Sequence, residues 1–97
     1  MKHLIPALAA LALFTGAATA APPTAEQKAE FYKVCVGISQ NVQLCTCKAD
    51  AAMQIIDTDF MAVVIESMKG KALDHKYDVP YNDYIVASTR ACGMGGA

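Results

Sequence analysis

Four cysteines carry most of the reactive chemistry in this chain: Cys35, Cys45, Cys47 and Cys92. Cys45 and Cys47 form a Cys-x-Cys pair, and such a pair can form disulfides, bind a soft metal ion such as Cu(I), or take part in thiol–disulfide exchange. An even number of cysteines in a short exported chain is typical of a disulfide framework. We therefore expect all four cysteines to form structural disulfides.

Two other uses of Cys45 and Cys47 stay open as alternatives, a Cu(I)-type metal site and a thiol-redox site. The methionines that could assist a metal lie inside predicted helices, where Met usually fills the core, and His75 stands alone. The Cys-x-x-Cys spacing of thiol oxidoreductases is absent, and only Lys48 is placed to lower the pKa of a thiol. The prediction is therefore no metal and no other cofactor.

The first twenty residues predict a secretory signal peptide. Lys2 supplies a positive start, residues 4–14 are mostly apolar, and Ala18 and Ala20 fill the small positions of a cleavage site. The apolar stretch is too short to span a bilayer, so no membrane anchor is expected. We expect the mature chain to begin at Ala21 and to work in the bacterial periplasm or outside the cell.

Composition predicts that residues 21–97 form a single small helical domain. At this size a hydrophobic core alone gives marginal stability, so covalent cross-links are expected. Loss of Lys2 with the leader takes the formal net charge from −1 to about −2, and no basic cluster would attract nucleic acid. Arg90 is the only arginine, and His75 is the only histidine left after cleavage. This is a poor supply of groups for acid–base catalysis, so the protein is predicted not to be an enzyme.

Helical periodicity predicts an all-α fold of four helices with a long connector between the third and the fourth. The helices are predicted at residues 25–40, 43–56, 60–69 and about 81–92. Thr24 and Gln27 form a capping box before the first helix. Residues 71–80 contain charges and a proline without a helical period, and they are long enough to run back along the third helix so that the fourth starts parallel to it. Residues 93–97 are expected to be a flexible tail.

Each helix has positions that are expected to face the core. They are Phe31, Val34, Cys35 and Ile38 in the first helix; two stripes in the second, Leu44, Cys47, Ala51, Ile55 and Cys45, Ala49, Ala52, Ile56; Phe60, Val63, Val64 and Met68 in the third; and Tyr81, Tyr84, Ile85, Ser88 and Cys92 in the fourth. Because two sides of the second helix are apolar, we expect it to contact more than one neighbour.

The expected hairpin of the first two helices predicts the disulfide pairing. Side chains two positions apart on a helix point about 160° apart, so Cys45 and Cys47 need different partners. If the turn lies between positions 41 and 42, Cys47 is closer than Cys45 to the level of Cys35 along the hairpin. This predicts a bond from Cys35 to Cys47 and leaves Cys45 to pair with Cys92.

The nine residues between Cys35 and Cys45 are similar to one half of the twin Cys-x9-Cys helical hairpin of mitochondrial intermembrane-space proteins. The second half is missing, because 44 residues separate Cys47 from Cys92. In size and predicted helix content the chain also resembles, at the level of fold alone, the small periplasmic immunity or inhibitor proteins of bacteria. That resemblance implies action by protein binding.

A candidate partner surface combines Tyr77, Tyr81 and Tyr84 with Asp78. Tyrosine is favoured at interfaces for its large, stiff, amphipathic ring, and the acidic neighbours would make the patch negative. The alternative is that Tyr81 and Tyr84 cap the core with their hydroxyls in water. If the surface interpretation holds, alanine at Tyr77 and Tyr81 leaves folding nearly intact. The predicted function is therefore binding of an unidentified protein partner.

Overall fold

A computed structural model describes residues 20–93, and within them the fold is all-helical with no strand. The elements are α1 (Ala25–Ser39), α2 (Val42–Ile55), α3 (Thr58–Met68), a 3-10 turn (His75–Tyr77) and α4 (Asp78–Ala91). The predicted four-helix domain with two disulfides is confirmed. Residues 1–19 of the predicted signal peptide and residues 94–97 of the expected tail lie outside the described residues.

The helix starts follow from local capping. The hydroxyl of Thr24 accepts a hydrogen bond from the backbone N–H of Gln27 at 3.0 Å, and the Gln27 side chain accepts one from the backbone N–H of Thr24 at 2.9 Å. This is the predicted capping box. Asn41 caps α2 and Asp57 caps α3, each by accepting a hydrogen bond from an N–H three residues later. These side chains satisfy amide donors that have no partner within their helices.

The core lies between the four helices. Its buried residues are Phe31 of α1, Ala49 and Ala52 of α2, Met61, Val64 and Ile65 of α3, and Tyr84 of α4. The second stripe predicted for α2 is therefore buried. On α3 the buried face is turned by about one position from the predicted one, because Met61 and Ile65 are buried while Phe60 and Val63 are only partly covered. Since nearly every residue from 60 to 65 is apolar, their pattern does not select one face of the helix.

Three residues predicted for the core are exposed. Ile38, near the end of α1, is 63% exposed, and Ile55 and Ile85 are 38% and 39% exposed. Phe31 lies on the same face of α1, two turns before Ile38, and is 3% exposed. The helical period was correct, but the length of each stripe that a neighbour covers depends on the packing of the helices.

The connector returns along α3 as predicted, but it is shorter than expected because α4 begins at Asp78. Pro80 lies in the first turn of α4, where its missing N–H costs no hydrogen bond. The ring of Tyr77 packs against Phe60 at the start of α3, with ring centroids 5.7 Å apart. None of the helices formed by residues 20–93 has the length and apolar character needed to cross a membrane.

Helix α4 runs antiparallel to α2. At one end Cys47 of α2 is bonded to Cys92, just after α4, and at the other end Ile56 and Pro80 line the same groove. This arrangement gives α2 two neighbours, α1 and α4, as its two apolar stripes predicted. It also leaves a groove at one end of the α2–α4 pair and a cleft near the other.

Candidate functional site

All four cysteines form disulfides, but the predicted pairing is wrong. Cys35 is bonded to Cys45 and Cys47 to Cys92, with Cα–Cα separations of 5.7 Å and 5.8 Å. Cys45 and Cys47 do have different partners, as their positions on one helix required. The first bond closes the α1–α2 hairpin, and the second fixes the end of α4 against α2.

The disulfide pairing differs from the prediction for two reasons, the position of the turn between α1 and α2 and the direction of the cysteine side chains on α2. Gln40 adopts the left-handed conformation (φ 55°, ψ 30°) and Asn41 caps α2, so the turn lies one residue earlier than predicted. Cys45 and Cys47 then lie one residue short of and one residue beyond the level of Cys35, and the helical rise favours neither. The direction of the side chains selects the pair, because Cys45 is fully buried on the face toward α1 whereas Cys47 points toward α4.

The disulfides remove the ligands of the alternative metal site. A soft metal binds thiolates, and the sulfurs of Cys45 and Cys47 are both engaged in bonds to other residues. Residues 20–93 also bring no three His, Cys, Asp or Glu side chains together in a metal-binding cluster. In this oxidised form Cys45 and Cys47 each cross-link α2 to another part of the domain.

The tyrosines do not form the exposed surface that was predicted. Tyr84 is 4% exposed and belongs to the core, so its assignment to a partner surface is wrong. Tyr81 is partly buried against that core, with its hydroxyl 3.5 Å from the Ser67 hydroxyl. Tyr77 packs on Phe60. Helix α4 carries these rings inward because its core face includes every third or fourth residue from Tyr77 on.

The remaining member of that set, Asp78, is exposed. Its carboxylate lies 3.1 Å from Nδ1 of His75, in the 3-10 turn just before α4. Asp78 also lies in the first turn of α4, where a negative charge is favourable to the helix dipole. Both interactions give the Asp78 carboxylate a local structural role at the start of α4.

Burial has a clear electrostatic effect on Tyr84. Removal of its hydroxyl from water raises the pKa of Tyr84 from its ordinary value of 10.0 to about 12. The phenol therefore remains neutral across the physiological range, which fits a core residue rather than an acid–base group.

The two most exposed apolar residues of α4 form a surface that the sequence prediction missed. Val79 is 70% exposed and Val86 is 44% exposed, and they lie seven positions apart on the outer face of the helix. The neighbouring part of α4 forms a groove of about 410 Å³ with the end of α2 and the start of α3. That groove is lined by Ile55, Ile56, Asp57, Phe60, Pro80, Asp83, Tyr84 and Ala87.

We call Val79, Val86 and the residues of this groove the α2–α4 face. Asp83 is exposed and lines the groove, and no ion pair formed by residues 20–93 includes it. The spacing of Val79 and Val86 was the available sequence signal. It was obscured because Tyr77, Tyr81 and Tyr84 on the opposite side of the same helix gave a stronger pattern.

No protein-family model, curated protein or solved structure matches this chain. The two resemblances drawn from cysteine spacing and from overall format therefore gain no support from known proteins. The function is inferred from the exposed residues of the domain and their chemistry.

Proposed function

We propose that this chain is a small exported helical domain that binds another protein through the α2–α4 face. The observation that carries the proposal is the exposure of Val79, Val86 and Ile55. Ile55 lines the groove, and Val79 and Val86 directly precede the groove residues Pro80 and Ala87. Apolar side chains grouped beside a groove commonly mark interaction sites, whereas scattered ones do not. The two disulfides fix α2 and support the end of α4, so the face is held on a rigid scaffold.

The charge of this face indicates the chemistry of its partner. Asp83 is exposed within the face, and Asp57 and Asp59 lie at the adjoining start of α3. A partner segment with apolar side chains next to Lys or Arg would fill the groove and approach these carboxylates. Such charge complementarity increases the association rate and selects among partners more than it increases affinity.

Export to an oxidising compartment is part of the proposal. Disulfides persist in the periplasm and outside the cell, and they are rare where thiols are kept reduced. Cleavage before Ala21 would keep two contacts of the segment before α1, because the backbone oxygen of Ala21 accepts a hydrogen bond from the N–H of Thr58 at 2.8 Å and Pro23 is buried. A cut further along the chain would remove this contact.

The test compares two double variants of the tagged mature protein in capture from a periplasmic extract. Val79→Lys with Val86→Lys places two charges on the α2–α4 face, and Ile38→Lys with Val42→Lys places two charges on residues of similar exposure at the α1–α2 turn. The expected result is a protein retained by the unaltered chain and by the turn variant, and lost with the face variant.

Purified partner then gives the quantitative result by calorimetry. We expect the face variant to bind at least about tenfold more weakly, since loss of a central apolar anchor typically costs more than 1 kcal/mol. The affinity of the unaltered chain should also fall as salt rises, because exposed charges are screened. The assignment of this face is contradicted if the face variant and the turn variant both retain the protein, or if both lose it.

A further inference from the structure

A second concave site lies among all four helices and shares only Tyr84 with the lining of the groove in the α2–α4 face. It is a partly open cleft of about 170 Å³. Its walls are largely aromatic and aliphatic, and they include Phe31, Leu44, Val64, Tyr84 and Ile85. Its volume is close to that of an engineered cavity of about 150 Å³ that takes up benzene. The cleft is thus large enough for one ring or one short branched chain.

One cationic side chain, Lys48, lies in the wall of this apolar cleft. Its Nζ donates hydrogen bonds to the Ser88 hydroxyl at 3.1 Å and to the Thr89 hydroxyl at 3.2 Å. Ser88 is fully buried and also lines the cleft, and its own hydroxyl donates to the backbone oxygen of Ile85 at 3.2 Å. The hydroxyl oxygens therefore hold the ammonium group in a fixed position beside the cleft.

Lys48 differs from the lysines that form ion pairs. Lys28, Lys69 and Lys71 each lie beside a carboxylate, and no ion pair formed within residues 20–93 includes Lys48. Neutral hydroxyls compensate a charge less well than an anion does. Consistent with this, partial burial lowers the pKa of Lys48 from its ordinary value. An ammonium group has three N–H donors, and the two hydroxyls take two of them.

We propose that this cleft binds a small organic carboxylate, with the apolar part of the ligand among the helices and the carboxylate on the ammonium group of Lys48. A negative group at this point would receive a charge-assisted hydrogen bond in a partly desolvated setting, where such bonds are stronger than in water. The rings of Tyr81 and Tyr84, with centroids 6.4 Å apart and planes inclined at 59°, offer faces and edges to an aromatic ligand.

A purely structural role for Lys48 is the competing explanation, because its two hydrogen bonds also join α2 to α4. That role requires no ligand, so binding measurements separate the two explanations. Benzoate is the appropriate probe, since its ring fits the volume and its carboxylate supplies the charge. Benzamide keeps nearly the same shape without the charge, and benzylamine reverses the charge.

The experiment titrates the isotope-labelled mature protein with each of these three compounds and follows the amide resonances by NMR. We expect saturable shifts with benzoate at Leu44, Ile85 and Ser88. Benzamide and benzylamine should bind at least about tenfold more weakly, which is the usual contribution of a charge-assisted hydrogen bond. The absence of saturable shifts with benzoate, or equal binding of benzamide, overturns the proposal.

Variants complete the test. Lys48→Met keeps an unbranched apolar side chain but removes the charge, and it should weaken benzoate binding at least about tenfold. Lys33→Met, at an exposed position of α1, is the matched control and should leave binding unchanged. Ile85→Phe keeps Lys48 and narrows the cleft, so it should also weaken binding and provides a test if Lys48→Met does not fold. Unchanged affinity in a folded Lys48→Met protein, or in Ile85→Phe, overturns the proposal.

Discussion

Gln27 and Thr58 are joined by two hydrogen bonds that fasten the first turn of α1 to the first residue of α3. The Gln27 amide donates to the backbone oxygen of Thr58, and the Thr58 hydroxyl donates to Oε1 of Gln27, both at 2.9 Å. The same Oε1 accepts the N–H of Thr24 in the capping box. One side chain therefore caps the start of α1 and connects two helices that are distant in sequence.

Replacement of Gln27 with Ala should lower the free energy of unfolding by about 1 to 3 kcal/mol, because it removes the cap and leaves partly buried groups of Thr58 without partners. Urea denaturation of the mature protein measures the change. Gln54→Ala, at an exposed position of α2, is the control and should change stability by less than about 0.5 kcal/mol. Equal effects of the two substitutions would contradict the connecting role of Gln27.

The exported protein should begin at Ala21. Cleavage there removes the predicted leader and retains the backbone contact between Ala21 and Thr58. N-terminal sequencing and the intact mass of protein recovered from the periplasm or medium check the prediction. Exported material that still starts at Met1 would contradict it and would remove one of the two arguments for an oxidising compartment.

Disulfide mapping should find Cys35 bonded to Cys45 and Cys47 bonded to Cys92. Trypsin leaves the first three cysteines on one peptide, residues 34–48, so digestion alone does not distinguish this pairing from the alternative. Partial reduction and stepwise alkylation followed by tandem mass spectrometry does. If Cys35 and Cys47 are found to be bonded to each other, the turn at Gln40 has a different conformation from the one in the structure.

The two bonds should also differ in their contribution to stability. The sequence separations are 10 for Cys35–Cys45 and 45 for Cys47–Cys92, and a bond that closes a longer loop restricts the unfolded chain more. On this basis, alanine at both cysteines of the first bond should cost about 3 kcal/mol, and at both cysteines of the second about 4 kcal/mol. Thermal unfolding under non-reducing conditions measures both, and a reversed order would contradict the prediction.

Stability should fall between pH 10 and pH 12 through ionisation of Tyr84. Burial raises the pKa of this phenol to about 12 from an ordinary value of 10.0, so in that range the unfolded chain has lost a proton that the folded chain retains. Stability then decreases as pH rises, by about 2 to 3 kcal/mol across the window, and this component is fully present below pH 10.

Tyr84→Phe isolates this effect, because it keeps the buried ring and removes the ionisable hydroxyl. Rapid chemical denaturation at a series of pH values should show a smaller alkaline loss of stability in the variant than in the unaltered chain. An absorbance titration that follows tyrosinate formation should lack, in the variant, the step with the highest pKa. If the two proteins have the same pH profile, the fold does not raise the pKa of Tyr84.

Alanine at both Tyr77 and Tyr81 should destabilise the domain, in contrast to the expectation from sequence. Tyr81 packs against the core and Tyr77 against Phe60, and truncation of a large buried aromatic side chain costs about 3 to 5 kcal/mol, less where the ring is partly exposed. Val79→Ala is the control on the same helix, since that residue is 70% exposed. Circular dichroism during urea unfolding measures both variants. An unchanged midpoint for the double variant would support the interpretation of the two rings as surface residues.

The helices and their starts could be predicted because they depend on interactions within a few residues. Thr24 and Asp57 each accept a hydrogen bond from the N–H three residues later, and Gln27 accepts one from the N–H three residues earlier. Such local contacts are visible in the sequence. The even number of cysteines and the two apolar sides of α2 likewise indicated a cross-linked domain with α2 between neighbours. The start of α4 differs most from the prediction, because Pro80 is as compatible with a first helical turn as with a connector.

The candidate sites could not be predicted in the same way, because each depends on how the helices meet. The turn at Gln40 places Cys45 and Cys47 equally far from the level of Cys35, and the direction of their side chains toward α1 or α4 selects the disulfide partners. The packing of α4 left Ile85, which was predicted for the core, 39% exposed. The approach of α4 to α2 brought Lys48 to Ser88 across 40 positions of sequence. Periodicity defines which residues share a helical face, but the angle and offset between packed helices determine whether that face contacts protein or solvent.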